Sequence, residues 1–382
     1  MSQDFVLTNA RIVTPESVFT GSLCVRDGRI VDLSSGPSAA PGAIDCDGDL
    51  LLPGLIELHT DNLERHILPR PKVRWDANAA VMAHDAQMAS AGITTVFDAI
   101  SCGDIIEGSD RLANLEVMVR GVTETQAKGH LRAEHRLHLR CELSSANIIA
   151  LFEAFADNPL VGIVSLMDHT PGQRQFVHED KYKEYYMGKY HFTHAEMDDF
   201  TRRRQADAAL HSAPNRAAIA AAGHRRGLTL ASHDDATPGH VEEALAFGVH
   251  FSEFPTTAEA ARAAHQAGIR VLMGAPNLVR GGSHSGNVAA ADLARDGLLD
   301  VLSSDYVPHS LLHAALLLAE APIGLPLPDA IATVTATPAG LAGLNDRGRI
   351  APGLRADLIR IRRPDGPVPV IRAVWREGER VA

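Results

Sequence analysis

Pro53-Gly54-Leu55-Ile56-Glu57-Leu58-His59-Thr60-Asp61 reads as an apolar strand that ends in two side chains able to bind a metal. Residues i and i+2 of a strand share one face. His59 and Asp61 are therefore expected to project together, with Glu57 one step deeper on that side and Leu58 and Thr60 facing away. An imidazole beside a carboxylate at a strand end suits a divalent cation. A single His-x-Asp is more often a solvated loop after a buried strand, so its meaning depends on what the rest of the chain brings beside it.

Seven further strand-like runs follow, at 93–99, 136–143, 160–168, 228–234, 249–254, 269–275 and 299–305. Helix-compatible stretches such as 81–91 and 215–226 lie between most of them. Eight strand–helix units in series predict an α/β fold, a (β/α)8 TIM-like barrel of parallel strands. The alternative, a doubly wound open sheet, lacks a G-x-G-x-x-G after its first strand. Residues 1–50 instead alternate short β runs with turns, Asp27-Gly28 being a hairpin signal. The tail repeats that style at 357–361 and 373–376, with Glu377-Gly378 as a turn. The expected organisation is a barrel over 51–346 and a small composite β domain from 1–50 and 347–382. The polar gap of roughly 60 residues between the fourth and fifth strands is expected to hold extra helices over the barrel mouth.

Composition narrows the function classes. A 45% hydrophobic share over 382 residues supports a large core. A net charge of −11 and 5% aromatics argue against a nucleic-acid surface, which needs cations and stacking platforms. The four cysteines form no C-x-x-C, so reduced thiols are expected. The first residues carry no basic and apolar leader pattern, and Leu311 to Leu318 is too short to span a bilayer. These features point to a cytoplasmic protein with no membrane or nucleic-acid partner; a homo-oligomer is the expected assembly.

Barrels of this kind place chemistry at the C-terminal ends of their strands. Ionisable residues gather there: His59 and Asp61; His138, Arg140 and Glu142 in alternation; Asp168 and His169; His233, Asp234 and Asp235; Glu253; and Asp305. Taken singly, His138 fits a core histidine and His169 a loop cap. Asp234 and Asp235 fit solvated positions or supports behind a ligand, and Glu253 fits a core ion pair or a ligand equally. Taken together, carboxylates from several strands at one barrel end repel one another unless a cation sits among them.

The first motif, the late Asp305 and the tail Gly348-Arg349-Ile350-Ala351-Pro352-Gly353-Leu354-Arg355-Ala356-Asp357-Leu358 resemble the amidohydrolase superfamily. Two departures stand out: His-x-Asp replaces the usual His-x-His, and no strand-four lysine is evident. Longer stretches resemble the phosphonate-degradation branch, diphosphatases that act on a ribose 5-triphosphate. They include His59–Leu63, Pro69–Val73, Ala133–Glu142, Ser165–His169, Pro171–Phe176, Ala231–Thr237, Gly274–Asn277, Arg280–Asn287 and Ser303–Tyr306.

That resemblance implies one or two divalent ions, zinc, manganese or similar, on His59, Asp61, Glu142, His233 and Asp305, with His169 a further candidate. It implies hydrolysis at the α-phosphorus of a small ribose triphosphate, releasing diphosphate, with Asp305 taking the proton of the attacking water. The residues agree in part. Arg70, Lys72, Arg174 and Lys181 could offset phosphate charge, and the Arg280–Gly286 loop, with Ser283 and His284, could wrap N–H groups around phosphate oxygens. Asn277 joins the expected substrate contacts. Lysines in a polar insertion are more often a solvated face, and a Gly-Gly-Ser loop is often only flexible. A C–N hydrolase on the same fold and a non-catalytic scaffold subunit stay open as alternatives.

Overall fold

The computed structural model of the chain describes residues 4–103, 111–174, 187, 193–283, 285–363 and 368–382. The N-terminal strands are β1 (Phe5–Val13), β2 (Val18–Arg26), β3 (Arg29–Ser35), β4 (Ile44–Asp45) and β5 (Leu50–Pro53). The barrel strands are β6 (Leu55–Thr60), β7 (Ile93–Cys102), β8 (Glu134–Glu142), β9 (Val161–Met167), β10 (Thr229–His233), β11 (Phe251–Glu253), β12 (Arg270–Gly274) and β13 (Val301–Ser303). The chain closes with β14 (Leu358–Arg362), β15 (Val370–Arg376) and β16 (Glu379–Arg380).

The two chain ends share one sheet, ordered β16-β15-β14-β5-β1-β2-β3, with β4 beside β1. Two of its tight turns are those legible in the sequence. Asp27 and Gly28 have φ of 49° and 74°, and Glu377 and Gly378 have φ of 51° and 73°. Positive φ at both central positions matches the right-handed strand twist. The turns pack on each other, and a Cβ on Gly28 would lie 2.6 Å from the Glu377 carbonyl oxygen.

The other sheet runs β6 to β13 in sequence order with every pairing parallel. Its edges meet through a parallel bridge between Thr60 and Asp305. The Glu57 carboxylate strengthens that seam by accepting from the Ser304 N–H at 2.5 Å and the His59 N–H at 2.7 Å. All eight predicted strands are present. The barrel floor is apolar: Ile56, Leu58, Phe97, Ile163, Ala231, Phe251, Leu272 and Val301 form one buried cluster. On β8, Leu137, Leu139 and Cys141 pack outward in the main core, so His138, Arg140 and Glu142 face inward.

β6 corrects the expected alternation. Leu58, expected to face away from the site, lies with Ile56 in the floor cluster. The pairing with β7 shifts register between Leu55 and Ile56 and again between Glu57 and Thr60. Such irregularities re-aim side chains near active sites, and here they let His59 reach the interior directly after Leu58.

The barrel's N-terminal end is tied to the terminal sheet by charge. Glu134 accepts from Arg347 Nη1 at 2.6 Å and Arg355 Nη1 at 2.7 Å, and Arg355 Nη2 donates to Asp357 at 2.8 Å. Burial opposes ionisation of Glu134, but the two guanidinium groups hold its carboxyl at about 2. The long insertion ends in the helix His194–Arg225, opened by a capping box between Thr193 and Glu196. This helix braces the end of β8, because Asn215 Nδ2 donates to the Leu143 and Ser145 carbonyls at 2.8 and 3.1 Å.

Candidate active site at the barrel mouth

Glu253 is the centre of the site. It is fully buried at the end of β11. Its Oε1 accepts from His59 Nδ1 at 2.9 Å, and its Oε2 accepts from His233 Nδ1 at 3.0 Å and from Ser165 Oγ at 2.7 Å. Burial disfavours its charge, yet His59, with the hydrogen bonds from His59 and His233, holds the carboxyl well below the usual range. The carboxylate fixes the tautomer of both ligand candidates: Nδ1 carries the proton and Nε2 keeps its lone pair. Carboxylates orient metal-binding imidazoles in this way. The two rings stack with centroids 5.8 Å apart.

His169 repeats the device. Its Nδ1 donates to Glu142 Oε2 at 2.7 Å, and its backbone N–H donates to Oε1 at 3.2 Å. Ser144 Oγ donates to Oε1 at 2.6 Å, and Arg204 of the long helix holds Ser144. Burial works against the Glu142 charge, but His169 and these donors keep its carboxyl at about 2. Glu142, expected as a metal ligand, accepts from His169 here.

Asp234 completes the second group. Its Oδ2 lies 3.5 Å from His233 Nε2 and 3.8 Å from His169 Nε2. Both Asp234 and Asp305 follow strands in the left-handed region, at φ 55° and 53°. Non-glycine residues adopt that conformation at a cost, and functional sites are where it recurs. Asp305 is partly buried, and burial first, then the neighbouring Asp61 charge, pushes its carboxyl up to about 6. Thr60 Oγ1 donates to the Asp305 carbonyl at 2.7 Å, keeping the strand-one and strand-eight ends together.

This donor set fits a divalent cation. His59, His138 and Glu253 offer ligand atoms within 4.8 Å of one another, as do His169, His233 and Asp234. His138 is the weaker candidate: Nδ1 donates to the Leu58 carbonyl at 2.8 Å, Nε2 meets Ser165 Oγ, and burial drives its pKa down to about 3. It is a neutral core histidine.

The expected phosphate contacts scatter. Arg174 is corrected outright. It is 4% exposed and gives its guanidinium to Asp235 and, at 2.9 Å, to Glu243. Asp235 is likewise a core group, held by Ser232 and Ser252. Asn277 is spent on its own loop, donating to the Val288 carbonyl at 3.1 Å and accepting from the Ala290 N–H at 2.9 Å. Arg70 and Lys72 sit in an exposed turn closed by an Arg70–Val73 bridge, and Arg280 is exposed at a helix end. Ser283 Oγ pairs with Ser285 Oγ at 3.0 Å. Lys181 and His284 lie outside the described residues.

A third cluster has no local sequence signal. His84, on the helix Ala77–Ser90, donates from Nε2 to Asp98 Oδ1 at 2.7 Å and accepts at Nδ1 from Asn62 Nδ2 at 3.1 Å. His135 Nδ1 contacts Asp98 Oδ2 at 2.7 Å, and its Nε2 lies 3.4 Å from Asp85 Oδ1. His84, Asp85, Asp98 and His135 are completely buried.

A (β/α)8 barrel with carboxylate-oriented histidines at its mouth defines a class of hydrolase folds, and the comparisons agree with it. Residues 86–382 match the family described as "Amidohydrolase family", and the chain belongs to that family. Within it, the chain is 52% identical over 377 residues to alpha-D-ribose 1-methylphosphonate 5-triphosphate diphosphatase of Escherichia coli K12, covering 98% of this chain and 100% of that protein. An adenine deaminase of Deinococcus radiodurans is 37% identical over 153 residues, 37% of this chain and 27% of that protein. Among solved structures, N-acetyl-D-glucosamine-6-phosphate deacetylase from Mycobacterium smegmatis superposes with a TM-score of 0.64 at 18% identity, covering 99% of this chain and 100% of that one. A 5-methylcytosine deaminase from Klebsiella pneumoniae gives 0.64 at 16% identity, covering 99% and 98%. At such identities these two speak for the fold alone.

Proposed function

We propose that the chain hydrolyses α-D-ribose 1-methylphosphonate 5-triphosphate to the 5-phosphate and diphosphate, with water attacking the α-phosphorus. The observation that carries this reading is the 52% identity to that diphosphatase over 98% of the chain. The carboxylate-oriented histidines at the barrel mouth support it. One or two divalent cations, zinc, manganese or similar, are the proposed cofactor; when bound, they offset charge on the phosphoryl oxygens and make water more acidic.

His59, His169 and His233 would hold the cations through Nε2, with Asp61, Asp234 and Asp305. Glu253 and Glu142 keep those rings in the metal-binding tautomer. Asp305 takes the proton of the attacking water. Arg70, Lys72 and Arg280, with Lys181, Ser283 and His284, are proposed to meet the outer phosphates as they leave. A cytoplasmic homo-oligomer without nucleic-acid or membrane partners is the proposed working form; among the described residues no helix is long and apolar enough to cross a membrane.

Turnover in oxygen-18 water, read by phosphorus NMR and mass spectrometry, tests the reaction. Label is expected in the 5-phosphate. Label in diphosphate overturns attack at the α-phosphorus, and absence of any diphosphate with every divalent metal overturns the activity.

A further inference from the structure

β8 places Arg140 between His138 and Glu142 on the inward face, level with Ser101 of β7 and Ser165 of β9. A guanidinium inside a barrel needs acceptors, because its five N–H donors lose water on burial. Here the Nε is buried without a hydrogen-bond partner. No ion pair or hydrogen bond to Arg140 is found among the described residues, whereas Arg174, Arg204, Arg216, Arg347 and Arg355, all buried, are each paired. On that face His138 lies 3.7 Å from Glu253 and Glu142 holds His169, so Arg140 stands between two residues that touch the cluster that would hold the cation.

A cation site and an arginine so close together repel. They coexist stably when an anion lies between them, with oxygens on both. A phosphoryl group fits: it carries several oxygens, and the guanidinium fork matches two of them. We propose that Arg140 is the interior contact for the reacting phosphoryl group, its N–H donors meeting non-bridging oxygens of the phosphorus under attack. This builds on the phosphohydrolase reading of the same mouth and names a residue within it. Arg140 would then stabilise charge that grows in the transition state, as distinct from the surface cations that meet the leaving diphosphate.

The test uses the full-length, metal-loaded protein with R140Q and R140K, folding checked by circular dichroism and metal content by mass spectrometry. R140Q is expected to lose about 10²–10³-fold in kcat with unchanged metal per chain, as removal of one transition-state donor does. R140K, which keeps the charge but not the fork, is expected to fall in between. Calorimetric titration with inorganic phosphate is expected to show at least about tenfold weaker binding to R140Q than to wild type. Wild-type kcat and phosphate affinity in R140Q overturn the proposal, and so does activity lost only in step with lost metal. If the wild-type protein releases no diphosphate at all, the phosphohydrolase reading fails by itself. The phosphate titration then decides Arg140 alone: equal affinity in both proteins overturns the assignment, and weaker binding to R140Q upholds it.

Discussion

The chain buries two histidine–carboxylate clusters, and they are built to opposite ends. At the barrel mouth, Glu253 takes Nδ1 of His59 and of His233, and Glu142 takes Nδ1 of His169; the Nε2 atoms of His169 and His233 converge on Asp234. Outside the barrel wall, Asp98 takes one nitrogen from each of His84 and His135, and Asn62 and Asp85 meet the other two. The same residue types at similar distances thus give a ligand set in one place and a closed bracket in the other. What separates them is access: His84, Asp85, Asp98 and His135 are sealed from solvent, whereas Asp61, His169 and Asp305 stay partly exposed at the mouth. The bracket matters to the site even so, because Asn62 directly follows Asp61 and its amide is pinned by His84 and Gln87.

Metal removal should part the two clusters most sharply. Protein dialysed against a chelator is expected to lose diphosphate release completely while keeping its circular dichroism spectrum, and to recover on addition of manganese or zinc. Loss of the folded signal on chelation would make the mouth cluster structural as well. Next in size, Asp305→Asn is expected to lower kcat by about 10²–10⁴-fold, the range for removing a positioned general base, with stability retained and metal binding weakened; steady-state kinetics and metal analysis read this.

The outer bracket should answer through stability. Asp98→Asn leaves the buried His135 cation with half its partners, and about 3–5 kcal/mol of unfolding free energy is expected to go. Urea titration measures that loss, while metal per folded chain should stay constant. Glu253→Gln is the counterpart at the mouth: metal affinity is expected to weaken about 10–100-fold, read by competition with a chromogenic chelator. Equal metal loss in both variants would erase the distinction drawn between the clusters.

The smallest effect is a pH dependence. Burial works against the charge on His135, but Asp98 and Asp85 raise its pKa from 6.5 to about 9. A group whose pKa is raised by folding stabilises the native state fully below the unfolded value and loses that contribution as pH climbs through the folded one. Unfolding free energy is therefore expected to decline from about pH 6.5 to 9, and His135→Gln should flatten that slope.

Much of the fold was legible because periodicity reports it. All eight barrel strands appear where the apolar runs lie, and the two turns expected carry the Asp-Gly or Glu-Gly pair that a positive φ favours. The site was legible only in outline. His59, His169, His233 and Asp305 do reach the mouth, since strand ends of a parallel barrel share one rim. Roles within the rim were not readable. Glu142 looked like a ligand and supports His169, while Glu253 looked ambiguous and organises two histidines. Arg174 looked available because its Gly-rich stretch resembles a binding loop, yet Asp235 and Glu243, about 60 residues on, claim its charge.

By itself, then, the sequence determined what local chemistry and periodicity determine: strands, turns, the barrel, and the presence of several ligand-type residues at one rim. Only the tertiary structure decided which of those residues face a common point and which are already satisfied. That decision depends on hydrogen-bond partners brought together from strands far apart in the chain, as Glu253 is with His59, 194 residues away. A side chain's chemistry is written at its own position, but its free valence is set by its neighbours in space.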